Sequence, residues 1–236
     1  SMQDYNVGGH DPFSVMSLGW ANPYIPTESC KLEIGAFQET HDLILLTPEW
    51  NETDSAFDEY LLLELYTPTG LNEMDSVYRY GGSPKGPEDI GIRLWHVDAR
   101  LCYWQYDEST EEWYIDESII GTTTDCTTVQ DCYGVETVCS NTYGNEDYGS
   151  ILGEDWYDYN KLQLIRNNTS TTHKTTDKLS SASLFKDGSS FSMSKFSKQF
   201  VESGKLNSGK SLGWSFSVEI WSEGESPVAV VNLIKE

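Results

Sequence analysis

The chain has 236 residues, of which 38 are acidic and 15 are basic, so its formal net charge is −23. Nucleic acid and anionic membrane surfaces are therefore poor partners, because binding to either needs clustered Lys and Arg side chains. The sequence has no run of about 18 consecutive apolar residues, which predicts that the chain has no membrane-spanning helix. Aromatic residues make up 13% of the chain, and this abundance favours strands over helices.

The N-terminal segment predicts a short helix. Asp11 is placed to cap it and Pro12 to occupy its first position, and the helix is expected to end near Gly19, before Pro23 and Pro26. The first residues of the chain lack the basic and apolar segments of a signal peptide. This is compatible with a cytosolic protein and equally with a missing N-terminal part.

After the helix, the pattern is that of strands separated by turns. Alternating or continuous apolar runs predict strands at residues 30–34, 42–47, 59–66, 91–98, 162–165, 212–221 and 228–234. Residues 103–106 and 113–115 predict a hairpin, and the Gly- and Pro-rich residues 68–91 predict a long loop. The predicted fold is mainly β, an antiparallel β-sandwich preceded by a short helical stub.

Three of the five cysteines lie close together in a long acidic insertion near residues 105–160. These are Cys126, Cys132 and Cys139, with Cys30 and Cys102 elsewhere. Their spacing, C-x5-C and C-x6-C without a nearby His, is less typical of zinc than of a disulfide that fixes a loop. The odd count leaves one thiol over, and Cys30 is the candidate because it opens an apolar strand. The sequence leaves the pairing open.

The sequence lacks two common catalytic motifs. It contains no G-x-S-x-G, so it does not predict a serine nucleophile of that type. It also contains no H-E-x-x-H, and its four histidines are far apart in the chain: His10, His41, His96 and His173. We therefore expect no complete catalytic site within this chain.

Two strings nevertheless resemble a known family. The first covers residues 2–14 (M-Q-D-Y-N-V-G-G-H-D-P-F-S) and continues to L-G-W at 18–20; the second is G-I-R-L-W-H-V-D at 91–98. In this order they resemble the secreted zinc metallopeptidases of the immune inhibitor A type, and residues 162–167 are similar to that family's C-terminal region in Gram-positive bacteria. The resemblance implies that residues 1–26 end a zinc-peptidase catalytic domain and that residues 27–236 form a β-sandwich domain.

The resemblance also implies roles for residues near the N-terminus. Met2 would be the methionine of the Met-turn, with a residue left by recombinant expression as the alternative. Asp4, Tyr5 and Asn6 would shape the turn beside the active site. His10 would line the cleft, or it would hydrogen-bond locally at the helix entry, which we favour. The zinc ligands and the general-base Glu would lie upstream, so zinc would be bound by the parent protein and not by this chain.

Acidic residues raise the question of a cation site. His96 and Asp98 lie two apart on one predicted strand and so share a face; they predict either a cation site or a buried His paired with a carboxylate. Calcium prefers oxygen ligands, and its candidate ligands are Asp98, Asp147, Asp155 and Asp158, with Asp107, Glu108 and Asp116 as further acidic neighbours. They do not follow the regular spacing of an EF-hand loop.

We therefore expect the C-terminal part of a secreted zinc metalloendopeptidase that supports the catalytic domain and is not catalytic alone. Its partners would be the missing N-terminal catalytic domain and, through the parent protein, protein substrates. It would be secreted or on the cell surface, in a Gram-positive bacterium. The alternatives are a purely structural brace and a secreted non-enzymatic binding module for carbohydrate or a cell-surface ligand. Aromatic side chains that could stack on a sugar are Trp104, Trp113 and Trp156.

Overall fold

The computed structural model describes residues 10–51, 54–79, 85–115, 120, 136–142, 150–175, 179–221 and 226–236. Several residues singled out above lie outside this part of the chain: Met2, Asp4, Tyr5, Asn6, Asp116, Cys126, Cys132 and Asp147. The described residues form mainly strands in antiparallel sheets, with a few short helices. The mainly β prediction is confirmed.

The N-terminal helix forms where it was predicted. Helix α1 spans Pro12–Ser17, and Pro12 lies in its first turn. The carboxylate of Asp11 caps it by accepting a hydrogen bond from the backbone N–H of Ser14 at 2.9 Å. Gly19 follows with a φ of 73°, a left-handed conformation that glycine adopts without steric cost. Two further helices are α2 (Phe37–Thr40) and α3 (Glu73–Val77).

The described strands follow the predicted order closely. They are β1 (Cys30–Gly35), β2 (Ile44–Leu46), β3 (Glu59–Tyr66), β4 (Gly91–Asp98), β5 (Leu101–Asp107), β6 (Glu112–Ile115), β7 (Glu136–Val138), β8 (Leu162–Ile165), β9 (Ser190–Ser192), β10 (Trp214–Trp221) and β11 (Val228–Lys235).

Three details differ from the prediction. Strand β2 is shorter than residues 42–47, because only Ile44–Leu46 pair with β3. The predicted loop at 68–91 contains α3, whose first turn carries Glu73 and Asp75, acidic residues that favour a helix N-terminus. Strands β7 and β9 were not predicted, because each has only three residues and carries no clear alternation.

Two four-stranded sheets form the sandwich. One has the order β1-β11-β10-β9 and the other β2-β3-β4-β8, and the paired strands in both are antiparallel. The sheets share one apolar core, in which Leu61, Leu63 and Leu94 of the second sheet join Phe216 and Val231 of the first. Burial of these side chains is the main source of stability for such a fold.

A smaller sheet extends from the sandwich. Strand β5 pairs with β6 as the predicted hairpin and with β7 on its other side, giving the order β6-β5-β7. Only Ala99 and Arg100 separate β4 from β5 along the chain, so this sheet begins where a central strand of the sandwich ends.

Helix α1 packs on the outer face of the β2-β3-β4-β8 sheet. Phe13, Val15 and Met16 are buried in a second apolar cluster with side chains from the sheet, among them Tyr60, Leu62 and Val97. The division of the chain at residue 26 stays a prediction, although the two parts clearly share packed contacts. Among the described residues, no helix has the length and apolar character needed to cross a membrane.

Candidate functional site: a buried polar cluster at one end of the sandwich

The alternation of strands β3 and β4 directs charged side chains into the space between the sheets. Leu61 and Leu63 alternate with residues on the opposite face of β3, and the same inner face carries Glu59 at the strand's start. On β4 that face carries His96 and Asp98, with Glu59 directly opposite Asp98. These three side chains are almost completely buried, at 4%, 1% and 0% exposed.

Glu59 accepts hydrogen bonds from three groups. Nε2 of His96 lies 2.9 Å from Oε1 of Glu59, and the backbone N–H of Asn207 donates to the same oxygen. The backbone N–H of Ser208 donates to Oε2 at 2.8 Å. Burial alone would raise the pKa of Glu59, but His96, Arg100 and Ser208 together lower the pKa from 4.5 to about 2. The carboxylate is therefore ionised at neutral pH.

Asp98 is held by Arg100 and Asn207. The guanidinium of Arg100 donates from Nε at 2.8 Å and from Nη2 at 2.9 Å, one bond to each carboxylate oxygen. Nδ2 of Asn207 donates to Oδ2 of Asp98 at 2.9 Å. Burial disfavours the Arg100 cation, yet Asp98 and Glu59 hold its pKa above the usual value. The guanidinium also lies 5.2 Å from the ring centroid of Trp156.

We call this set the Glu59 cluster; it comprises Glu59, His96, Asp98, Arg100, Asn207 and Ser208. All four carboxylate oxygens of Glu59 and Asp98 accept a hydrogen bond from these neighbours. The cluster joins the 207–208 loop to the ends of β3 and β4, far apart in sequence. The cluster is a network of buried ionic hydrogen bonds, and protein donors already occupy the carboxylate oxygens.

The cluster bears on the two hypotheses for His96 and Asp98. His96 is buried and lies against a carboxylate, as one hypothesis proposed, and that carboxylate belongs to Glu59. Glu59, Arg100 and Asn207 were not identified from the sequence. The sequence does contain a signal for Glu59. It is an acidic residue at the start of an apolar strand, and the neighbouring strand ends in H-V-D, so a buried polar contact could be expected between them.

The candidate calcium ligands do not form a group in the described structure. Asp98 is paired with Arg100, and Asp158 lies 3.0 Å from Nζ of Lys174. Asp155 lies in a short 3-10 turn at Glu154–Trp156, and Asp147 is outside the described residues. Across the described ranges, no three or more His, Cys, Asp or Glu side chains are arranged to hold a metal ion. The described residues thus do not fit a zinc centre, and calcium binding stays a prediction.

The N-terminal motif is described only from His10 onward. His10 is half-buried just before α1, and its ring centroid lies 6.2 Å from that of Trp20, which is 54% exposed. Both hypotheses for His10, a cleft-lining residue and a local helix-entry contact, stay predictions. The role of Met2 also stays a prediction.

An exposed aromatic pair lies on the β5–β6 hairpin. Tyr106 and Trp113 are directly opposite each other, with ring centroids 5.3 Å apart. Trp113 is 52% exposed, whereas Trp156 is half-buried against Arg100. The side chain of Trp104 lies outside the described part. Of the two proposed sugar-stacking tryptophans whose side chains are described, Trp113 therefore has the more open ring.

No protein-family model, curated protein or solved structure matches the chain. The resemblance to the immune inhibitor A type therefore depends on the two sequence strings and on residues 162–167, and it stays a prediction.

Proposed function

We propose that the chain is the non-catalytic β-sandwich part of a secreted zinc metalloendopeptidase of the immune inhibitor A type, and that it braces the catalytic domain. One observation carries the proposal: the described parts of the two strings that resemble the family contribute side chains to the same apolar cluster. Phe13 and Met16 of the first string share one apolar cluster with Trp95 and Val97 of the second. Two strings about 80 residues apart in sequence thus contribute to one interface.

The contacts of α1 support a rigid connection. Phe13 packs edge-on against Phe57, with ring centroids 6.1 Å apart, and Nζ of Lys161 lies 5.4 Å from the Phe13 ring centroid. Burying such an aromatic ring contributes roughly 2–3 kcal/mol. A segment fixed in this way would hold whatever precedes it at a set position on the sandwich. In the parent protein, zinc would supply Lewis-acid chemistry in the upstream domain, and this chain would position that domain.

The first experiment establishes the natural polypeptide upstream of Ser1. We expect a helix with an H-E-x-x-H motif shortly before Met2, because the Met-turn would follow it. A natural sequence without that motif overturns the proposal. The chain alone, incubated with casein and zinc, is expected to leave casein intact; cleavage that a chelator blocks would show a catalytic site within it.

The brace is tested in the natural polypeptide with Phe13→Ala. We expect casein hydrolysis to fall several-fold, because a domain held loosely no longer presents its cleft in one position. The bound zinc is expected to remain at the wild-type ratio. Leu18→Ala is the matched control, since Leu18 directly follows α1 and is 47% exposed. Equal hydrolysis by the wild type and Phe13→Ala would contradict the bracing role.

The exposed Tyr106–Trp113 pair favours a second candidate function, a secreted carbohydrate-binding module. Two adjacent exposed rings can stack on a sugar face. A glycan array would give a specific hit that Trp113→Ala abolishes and Trp221→Ala retains. Trp221 is the control because it is also exposed but lies at the end of β10, in the β1-β11-β10-β9 sheet. An array without any specific hit contradicts this function.

Calcium is a separate proposal that depends on the acidic insertion. If calcium is bound there, EDTA will lower the thermal midpoint and calcium will restore it, because a ligand that binds only the folded state stabilises it. An unchanged midpoint contradicts the proposal.

A further inference from the structure

The pairing of β5 with β7 brings two cysteines of the chain together. Cys102 on β5 lies opposite Thr137 on β7, and Cys139 follows two residues later on the same face. The backbone N–H of Cys139 donates to the carbonyl of Arg100 at 3.0 Å, which extends the ladder past the end of β7. Both cysteine side chains are completely buried. The neighbouring Cys139 thiol lowers the pKa of Cys102, and Sγ of Cys102 donates to the backbone carbonyl of Thr137 at 3.5 Å.

We propose that Cys102 and Cys139 form a native disulfide that closes residues 103–138 into a loop. Both are free thiols in the described structure, as is Cys30. Cys30 lies on β1, in a sandwich sheet, whereas β5 and β7 belong to the smaller three-stranded sheet. Cys126 and Cys132 lie within the loop that the disulfide would close. A Cys102–Cys139 disulfide would leave Cys126 and Cys132 as the two remaining cysteines of the acidic insertion.

The oxidant is a disulfide of the glutathione class. The Cys102 thiolate attacks one sulfur of glutathione disulfide, and one glutathione thiolate leaves. The Cys139 thiol loses its proton and attacks the Cys102 sulfur, and the second glutathione thiolate leaves. The two protein thiols lose two electrons and two protons, and glutathione disulfide is reduced to two glutathione thiols.

The environment assigns Cys102 as the first nucleophile. The neighbouring Cys139 thiol lowers the pKa of Cys102, and burial opposes this shift. The neighbouring Cys102 thiol, together with burial, raises the pKa of Cys139. A thiolate is the attacking species in exchange, so Cys102 reacts first, when opening of the β5–β7 pair admits the oxidant.

Peptide mapping tests the pairing in the wild-type chain, purified in a glutathione redox buffer. Free thiols are blocked with iodoacetamide and the chain is digested, without reduction, by a protease that cuts after Glu. Cuts after Glu88, Glu108, Glu136 and Glu146 put Cys102 in peptide 89–108 and Cys139 in peptide 137–146. Cys126 and Cys132 fall together in peptide 118–136.

The expected product is peptide 89–108 joined to peptide 137–146, which separate on reduction. Recovery of either peptide alkylated, or joined to peptide 118–136, overturns the proposal. Cys30→Ser is the matched control and keeps the joined product, whereas Cys102→Ser yields peptide 137–146 in alkylated form. The wild-type map does not depend on the variants folding, and it does not depend on the proposed peptidase function.

Discussion

Strand β3 buries one glutamate on each face of its sheet, and the surroundings of the two glutamates differ strongly. Glu59 points between the sheets into the Glu59 cluster, whereas Glu64 lies on the outer face of β3, on the side where α1 packs. Both are almost fully excluded from solvent, at 4% and 0% exposed. Burial alone therefore does not separate them.

The difference lies in the aligned donors. Glu59 accepts from His96 and from two backbone N–H groups. Glu64 accepts from Nε1 of Trp95 at 2.8 Å, and its Oε2 has no hydrogen-bond partner among the described residues. Nε of Arg93 lies 2.8 Å from Glu64, but it makes no aligned hydrogen bond, so the contact is an ion pair.

The consequence is a pKa shift of opposite sign. Burial raises the pKa of Glu64, and Arg93 and Trp95 only partly offset it. At Glu59 the donors outweigh burial and lower the pKa to about 2. A buried carboxylate stabilises the fold in its ionised form only when enough donors face it. The two faces of β3 show both outcomes within a single strand.

Glu59→Gln is expected to have the largest effect. The Gln amide group would replace one acceptor oxygen with a donor facing the donors of Asn207, Ser208 or His96. We expect the free energy of unfolding to fall by about 3 kcal/mol. Urea unfolding followed by tryptophan fluorescence measures it. Glu33→Gln on β1 is the control, since Glu33 is exposed and should leave the midpoint unchanged.

The pH dependence should isolate the Glu59 contribution. Its pKa is 4.5 unfolded and about 2 folded, so its stabilisation is complete above about pH 4.5 and is lost as the pH falls towards about 2. The stability difference between wild type and Glu59→Gln should therefore shrink by about 3 kcal/mol over that window. Other carboxylates titrate in both proteins and cancel. A difference that stays constant with pH would show that Glu59 acts through packing and not through its charge.

The strands that hold these residues could be predicted from the sequence. The continuous run at 59–66 and the string at 91–98 both predicted β3 and β4 to the residue, because apolar runs between turn residues determine strands strongly. The N-terminal helix was equally clear, since Asp11 and Pro12 specify a helix start. Local sequence patterns were thus sufficient to predict the strands and the helix, because these elements depend on local backbone geometry.

The cluster itself could not be predicted, because its partners are distant in the chain. Asn207 and Ser208 meet Glu59 across about 150 residues, in a loop whose Gly, Ser and Asn content indicates only a turn. The pairing of Cys102 with Cys139 also depended on register, which the sequence left open. Contacts between residues that are distant in the chain leave no recognisable pattern in the local sequence.

Asn207→Ala should have an intermediate effect. The backbone N–H that donates to Glu59 remains, but the hydrogen bond from the Asn207 side-chain amide to Asp98 is lost. A hydrogen bond to a charged group contributes about 1.5–3 kcal/mol, and we expect a loss near the lower end of that range in urea unfolding. Asn207→Asp is the informative comparison, because a third carboxylate beside Asp98 and Glu59 should cost more than Ala. Equal stability of the wild type and Asn207→Ala would show that Arg100 alone satisfies Asp98.

Glu64→Gln should have the smallest effect, within about 1 kcal/mol of the wild type at neutral pH. Gln keeps an oxygen that accepts a hydrogen bond from Nε1 of Trp95. Arg93 keeps its cation–π contact with Tyr66, whose ring centroid lies 4.7 Å from the guanidinium carbon. Because the folded pKa of Glu64 is raised, its contribution is present below about pH 4.5 and is lost as the pH rises through that raised value.

The variant does not titrate at residue 64, so its stability relative to the wild type should improve as the pH rises from about 3 to about 7. The corresponding difference for Glu59→Gln should worsen over the same range. Urea unfolding of both variants at the two pH values measures the two slopes. If the two stability differences change in the same direction with pH, the number of aligned donors does not determine how these two buried carboxylates affect stability. The contrast between the two faces of β3 would then be wrong.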